Sequence, residues 1–251
     1  MNDESMEKYR DFLKGSIRLV TDFAKTDQSM GLPMPPAEKP FSPGAKLVDL
    51  PPKSEWRTIG SVDAVSAVEN RRSHRLFKKE PLSLEELAFL LWATQGVRER
   101  LKSGNVRKTV PSAGCRHAIE TYLCALNVSG LEEGVYRYLP LEHKLVLEFL
   151  EAGLSAKIAN AAFDQTFVGS APVTFVWTTI PYRMEWRYSL AAHKVIALDA
   201  GHVCQNLYLA CEAIGAGTCA VAAYHQVLMD KLLHLDGRDE FVIYLAPVGK
   251  V

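Results

Sequence analysis

No apolar run in this 251-residue chain reaches the ~18 residues needed to cross a bilayer, so no membrane span is expected. An excess of charge of either sign is also missing. Lys+Arg and Asp+Glu both number 29, which argues against nucleic acid or an anionic membrane as the main partner. A net charge near zero leaves little repulsion between copies, so self-association is easy to accept. Cysteines are few and unpatterned. Cys115, Cys124, Cys204, Cys211 and Cys219 make an odd number with no Cys-x-x-Cys spacing. A disulfide framework or structural zinc site is therefore not expected, and buried thiols in a reducing cytoplasm fit better. The start, Met1-Asn2-Asp3-Glu4-Ser5, lacks the basic and apolar regions of a signal peptide. Asn127-Val128-Ser129 matches a glycosylation acceptor by chance, at the end of a strand-like run. Gly-x-Ser-x-Gly, Walker and His-Glu-x-x-His motifs are absent, which removes direct support for those chemistries. Gly215-Ala216-Gly217 follows a helix where a dinucleotide fold needs a strand. The seven histidines show no ligand spacing, and His202 is expected in the core or an interface rather than on a metal.

What is present is an ordinary globular composition, 48% hydrophobic and 23% charged, long enough for one large domain or two small ones. Apolar spacing predicts a first helix within residues 1–25. Seven prolines between Met30 and Pro52 exclude regular helix and sheet there. Leu32, Met34, Phe41, Leu47, Val48, Leu50 and Trp56 favour an arm that straps a neighbouring subunit over a floppy leader. Ser61 can cap a helix bearing Val62, Val65 and Val68. Ser83-Leu84-Glu85-Glu86 is a capping box whose helix buries Leu84, Leu87, Ala88 and Leu91 and ends near Gly96. Residues 97–110 read as a loop. Strands are predicted at 120–128, 134–139, 144–149, 172–179 and 241–246, with a four-residue turn, Pro140–His143, closing one hairpin. Short helices are predicted near 156–163 and 226–233. The longest helix spans about Arg187–Ile214 and is rich in alanine, which suits a central place or a dimer interface. Helices mixed with hairpins point to an α+β fold with a mostly antiparallel sheet.

Arg71-Arg72-Ser73-His74-Arg75-Leu76-Phe77 is the stretch around which the rest is organised. Arg71 and Arg75, or Arg72 and Arg75, would share a face at a helix end. Guanidinium forks suit phosphate oxygens. A solvated basic helix end is the plainer reading of the cluster alone.

Further segments follow in order: Pro111-Ser112-Ala113-Gly114, Gly134-Val135-Tyr136-Arg137-Tyr138, the run Asp199–Leu207, and Gly215-Ala216-Gly217-Thr218-Cys219. With the arginine stretch they resemble the nitroreductase-like flavoprotein family, and within it the SagB-type dehydrogenase branch. The resemblance covers residues from about 60 to the end. It implies a nitroreductase fold, a central sheet flanked by helices in an intertwined homodimer that encloses FMN, with residues 1–60 as helix and arm and 61–251 as the FMN-binding domain.

On that basis Arg71, Arg72, Ser73 and Arg75 are the expected phosphate and ribityl contacts. Pro111, Ser112, Ala113 and Gly114 would let backbone approach the flat ring, that of the other subunit's flavin. Ala220, Val221, Ala222 and Ala223 would lie along the isoalloxazine edge, and Lys250 would add charge near the phosphate. The implied activity is FMN-dependent oxidoreduction with NADH or NADPH as co-substrate, on a small organic substrate. Two alternatives stay open: azoline oxidation in peptide modification, and a flavin-binding scaffold without turnover. Azoline oxidases of this branch carry a Lys-Tyr pair where this chain has Arg187-Tyr188. Tyr188 could still act on a proton, whereas arginine does not give one up. The plainer reading is a helix-start pair that helps close the pocket.

Overall fold

The computed structural model describes residues 3–251. The predicted first helix exists in pieces, α1 (Asp3–Leu13) and α2 (Ile17–Val20), followed by a 3-10 turn at Phe23–Lys25. Gly15 and Ser16 separate the two helices, and both residue types favour turns over helix interiors. Met1 and Asn2, which that prediction included, lie outside the described residues.

The Pro-rich stretch holds no helix, and parts of it are tied to the body of its own chain. Trp186 Nε1 donates to the Leu32 carbonyl at 3.1 Å. The Arg137 guanidinium donates to the carbonyls of Lys39 at 2.8 Å and Pro40 at 3.1 Å. Sheet is not excluded either. The proline-free β1 (Leu47–Asp49) pairs antiparallel with residues 144–146.

One contact makes the arm sensitive to pH. Glu38 Oε2 accepts the Leu141 amide at 3.0 Å. Burial pushes the Glu38 carboxyl up to about 7, with repulsion from Glu142 adding to it against the Leu141 bond. The docked arm thus favours protonated Glu38. Its stabilising contribution is complete below the ordinary glutamate range and is lost as pH rises through about 7. Hydrogen-exchange protection of the Leu141 amide should fall between pH 6 and pH 8. Glu38→Gln should hold it level, and an unchanged wild-type profile would refute the linkage.

Helix α3 (Ala64–Asn70) is capped by Asp63, not Ser61, its carboxylate accepting the amides of Val65 and Ser66, each at 3.0 Å. A carboxylate also answers the positive end of the helix dipole, which a serine does not. Helix α4 (Leu84–Gln95) starts on the predicted capping box, with Glu86 N–H on Ser83 Oγ at 3.1 Å and Ser83 N–H on Glu86 at 2.9 Å. It ends at Gly96 and buries Leu87, Leu90 and Leu91, each contributing about 1.5–3 kcal/mol. The predicted loop at 97–110 is instead a small hairpin, β2 (Val97–Arg100) and β3 (Val106–Lys108). Its strands are too charged to show an apolar period.

The remaining elements are β4 (Ile119–Ala125), β5 (Gly134–Leu139), β6 (Lys144–Leu150), α5 (Leu154–Ala161), α6 (Thr166–Ser170), β7 (Val173–Thr179), α7 (Tyr182–Tyr188), α8 (Ala192–Glu212), β8 (Ala216–Thr218), α9 (Gln226–Leu232) and β9 (Phe241–Lys250). The single helix predicted from Arg187 is thus two. Ser189, at φ 45°, breaks the run, because a left-handed residue cannot continue a right-handed helix. The main sheet has the order β1-β6-β5-β4-β7-β9-β8, with every neighbouring pair antiparallel. Period-two alternation divides its side chains between two cores. Leu123, Phe175, Trp177 and Val248 pack in a core with residues of α4 and α8, while Tyr122, Cys124, Val176 and Leu245 join residues of α5 and α9. Within the sheet, Glu120 is buried between Arg183, at 2.6 Å, and Arg137, at 3.7 Å.

Candidate functional site

The arginine stretch begins where α3 stops. Arg71 is the C-cap, with φ −52° and ψ 120°, so the residues that follow leave the helix and do not keep helical spacing. Ser73 forms a parallel bridge to Thr218, and His74 N–H donates to the Thr218 carbonyl at 2.9 Å. The close approach requires Gly217. A Cβ there would come within 2.6 Å of the His74 ring. Arg71 stacks 5.3 Å from the Tyr208 ring centroid, and Arg75 lies 5.8 Å from that of Phe167. Arg72 and Arg75 are exposed. Among the described residues none of these three guanidiniums pairs with a carboxylate. Uncompensated guanidiniums beside a serine hydroxyl fit an anionic group such as the phosphate of FMN.

The 220–223 segment lies on the same side of the fold, through Tyr208. Ala220 N–H donates to the Tyr208 hydroxyl at 2.8 Å, and that oxygen is 2.8 Å from Ser73 Oγ. Val221 exchanges backbone hydrogen bonds with Leu245 at 2.8 and 3.1 Å. The amides of Ala220 and Val221 are therefore engaged, whereas those of the exposed Ala222 and Ala223 have no backbone acceptor among the described residues. Tyr208 itself carried no motif signal, since an aromatic at this spacing in a long helix reads simply as core.

The turn at 111–114 belongs to a second group. Ser112 Oγ donates to Asp199 Oδ2 at 2.5 Å and accepts His117 N–H at 2.9 Å. Ala113 N–H points at the same carboxylate, 3.3 Å from Oδ2. Burial pushes the Asp199 carboxyl up against the Ser112 bond, the Ala113 amide and His202. Asp199 and Tyr208 lie nine residues apart on α8, about 13 Å along its axis, so one helix supports both groups. Pro111 and Gly114 are exposed. Gly114 has φ 58°, and Cys115 and His117 follow at 55° and 47°. A Cβ on Gly114 would sit 2.6 Å from the Tyr188 hydroxyl and 2.7 Å from Arg187 Nε. Gly114→Ala is therefore expected to cost about 2–4 kcal/mol by urea unfolding, adding left-handed strain to overpacking. A change under about 0.5 kcal/mol would show that this corner yields freely.

Arg187 and Tyr188 end α7 instead of starting the long helix. The N-terminal segment covers them. Arg187 donates to Gln28 Oε1 at 3.1 Å, and Arg18 lies 6.0 Å from the Tyr188 ring centroid. Lys250 is already engaged within the chain. Its ammonium is bound by Glu86 and by the Ile214 carbonyl, which locally offsets the charge expected at the phosphate. His202 is exposed on α8 and not in the core. A groove of about 930 Å³ opens elsewhere, lined by Trp56, Val62, Val68, Phe89 and Trp92. Among the described residues no helix is long and apolar enough to cross a membrane.

Comparison with known proteins places these features among relatives. The sequence profile of the nitroreductase family matches residues 68–250. The chain is 34% identical over 180 residues to a protein named nitroreductase MJ1384 from Methanocaldococcus jannaschii, covering 72% of this chain and 87% of that one. It is 28% identical over 163 residues to the trifolitoxin-processing protein TfxB of Rhizobium leguminosarum bv. trifolii, covering 62% of this chain and 44% of the other. Among solved structures, one described as a nitroreductase from Ralstonia eutropha JMP134 superposes with a TM-score of 0.67 at 27% identity, over 88% of this chain and 99% of that one.

Proposed function

The chain belongs to the nitroreductase family of oxidoreductases, and from that premise we propose that it is an FMN-dependent enzyme, working as a homodimer in the cytoplasm with NADH or NADPH as reductant. The observation that carries this reading is the set of three guanidiniums without carboxylate partners among the described residues, tied through Tyr208 to a segment in which two amides have no backbone acceptor there. Arg71, Arg72, Ser73 and Arg75 would hold the phosphate and ribityl chain, where paired donors in a fixed plane match anionic oxygens. Ala222 and Ala223 would donate to the polar edge of the ring, with Ala220 and Val221 shaping the backbone that presents them. Pro111, Ser112, Ala113 and Gly114 would close over the ring bound by the other subunit. Lys250, through Glu86, would steady the last strand and add only a partial charge. We take residues 61–251 as the cofactor-binding unit and 1–60 as its covering segment.

Bound FMN supplies two-electron chemistry, so the chain needs no nucleophile of its own. Its side chains fix the cofactor, exclude water and leave one face open to small organic acceptors. Full-length protein should purify yellow and release FMN on denaturation, and NADH or NADPH should bleach it without oxygen. A colourless monomer that ignores added FMN would overturn the reading. Bound FMN that neither nicotinamide reduces would favour the scaffold without turnover.

A second reading has its own support. Similarity to a peptide-processing protein and a tyrosine hydroxyl close against Gly114 suit SagB-type azoline oxidation, in which a thiazoline or oxazoline ring loses two hydrogens. Arg187 cannot act as the base, which leaves Tyr188 as the one candidate for moving that proton. Mass spectrometry of a thiazoline peptide incubated with the holoprotein decides between the two readings.

A further inference from the structure

Two segments far apart in sequence, 71–75 and 220–223, build the proposed cradle. The main chain joins them at Ser73 and His74, which meet Thr218. One further side chain spans both. Tyr208 comes from α8 and is 9% exposed. Its hydroxyl accepts Ala220 N–H at 2.8 Å and lies 2.8 Å from Ser73 Oγ, and its ring carries the Arg71 guanidinium 5.3 Å from the centroid.

A phenol hydroxyl has one proton to give. Ala220 N–H already donates to the Tyr208 oxygen, and an outgoing phenol proton has Ser73 Oγ as its partner. Ser73, exposed, then has its own hydroxyl proton to give to a ligand, with the exposed Arg72 and Arg75 close to it in the chain. The result is a line of donors from Ala220 N–H through Tyr208 and Ser73 to the ligand, in which each bond polarises the next. We propose that Tyr208 is a positioning residue for the anionic end of the flavin. It fixes Ser73 as an outward donor, holds Arg71 beside it, and ties both to the segment that meets the ring. This rests on the FMN reading above.

Because the line of donors ends at the anionic group, such a role acts more strongly on the phosphate than on the ring, so it separates two flavins. Dissociation constants for FMN and for riboflavin, which lacks the phosphate, are measured by fluorescence quenching on full-length apoprotein. The proteins compared are wild type, Tyr208→Phe, Ser73→Ala and the double variant. Losing one hydrogen bond to a charged group corresponds to about a tenfold change. Tyr208→Phe should therefore raise the constant for FMN about tenfold and that for riboflavin less than about twofold. The double variant should be no weaker than the worse single one, because both changes break one line of donors. If the phenylalanine also lowers the folded fraction, both constants rise by the same factor, so their ratio still reports the effect. An unchanged ratio, whether both flavins weaken equally or neither does, overturns the proposal and leaves Tyr208 a packing residue. Wild type that binds neither flavin sinks the FMN reading itself.

Discussion

Arg71→Ala and Arg75→Ala are each expected to weaken FMN binding about 10- to 100-fold, and the double variant to purify without cofactor. Each guanidinium stacks on an aromatic ring, Tyr208 for Arg71 and Phe167 for Arg75. Neither meets a carboxylate among the described residues, so removing one leaves no buried partner stranded. The loss should appear in ligand binding and not in folding. A hydrogen bond to a charged group contributes about 1.5–3 kcal/mol, which sets the range. Lysine should rescue only part of it, since an ammonium gives a point charge where the guanidinium gives a planar fork. Titration of the apoprotein with FMN, alongside urea unfolding, separates binding from stability. Full cofactor retention in the double variant would remove the phosphate role from this stretch.

Glu120→Ala is expected to be the most damaging single change to the fold. The carboxylate is 3% exposed, 2.6 Å from Arg183 and 3.7 Å from Arg137, and also accepts the Lys39 amide at 2.9 Å. Burial pushes its carboxyl up, but the guanidiniums of Arg183 and Arg137 outweigh it and hold it below the usual range. Removing it leaves Arg183 buried without a carboxylate among the described residues, at about 3–5 kcal/mol, while Arg137 keeps Glu148 at 2.7 Å. It also takes away the acceptor of the Lys39 amide. The sign of the pH effect follows. A lowered carboxyl contributes stability that is present above the ordinary glutamate range and lost as pH falls through the folded value. Wild type should therefore lose stability in acid more steeply than Glu120→Ala. Urea melts across that range test both points, and a loss below about 1 kcal/mol at neutral pH would show that water reaches the two arginines.

These two sites differ in how openly the sequence announces them. Three arginines in five residues stand out along the chain, as do the capping box at Ser83 and the apolar run of β7. Tyr208 does not, because its importance lies in Ser73 and Ala220, 135 and 12 residues away. Glu120 opens an ordinary strand pattern, and only the arrival of Arg137 and Arg183 makes it a buried ion cluster. The course of the arm is hidden in the sequence for the same reason. Its prolines excluded helix, but Arg137, in the sheet, settled where it lies by donating to Lys39 and Pro40. The amides at 220–223 looked alike in sequence, and Tyr208 and Leu245 engage two of them.

The order of residues by itself determined α4 and the strands β4, β5, β6, β7 and β9, because turns, caps and two-residue alternation are local constraints on the backbone. It also determined that three closely spaced arginines follow α3. Only the tertiary structure decided which donors remain free for a ligand. A hydrogen-bonding group is available or spent according to partners brought from elsewhere in the chain, and that pairing is set by packing across the sheet.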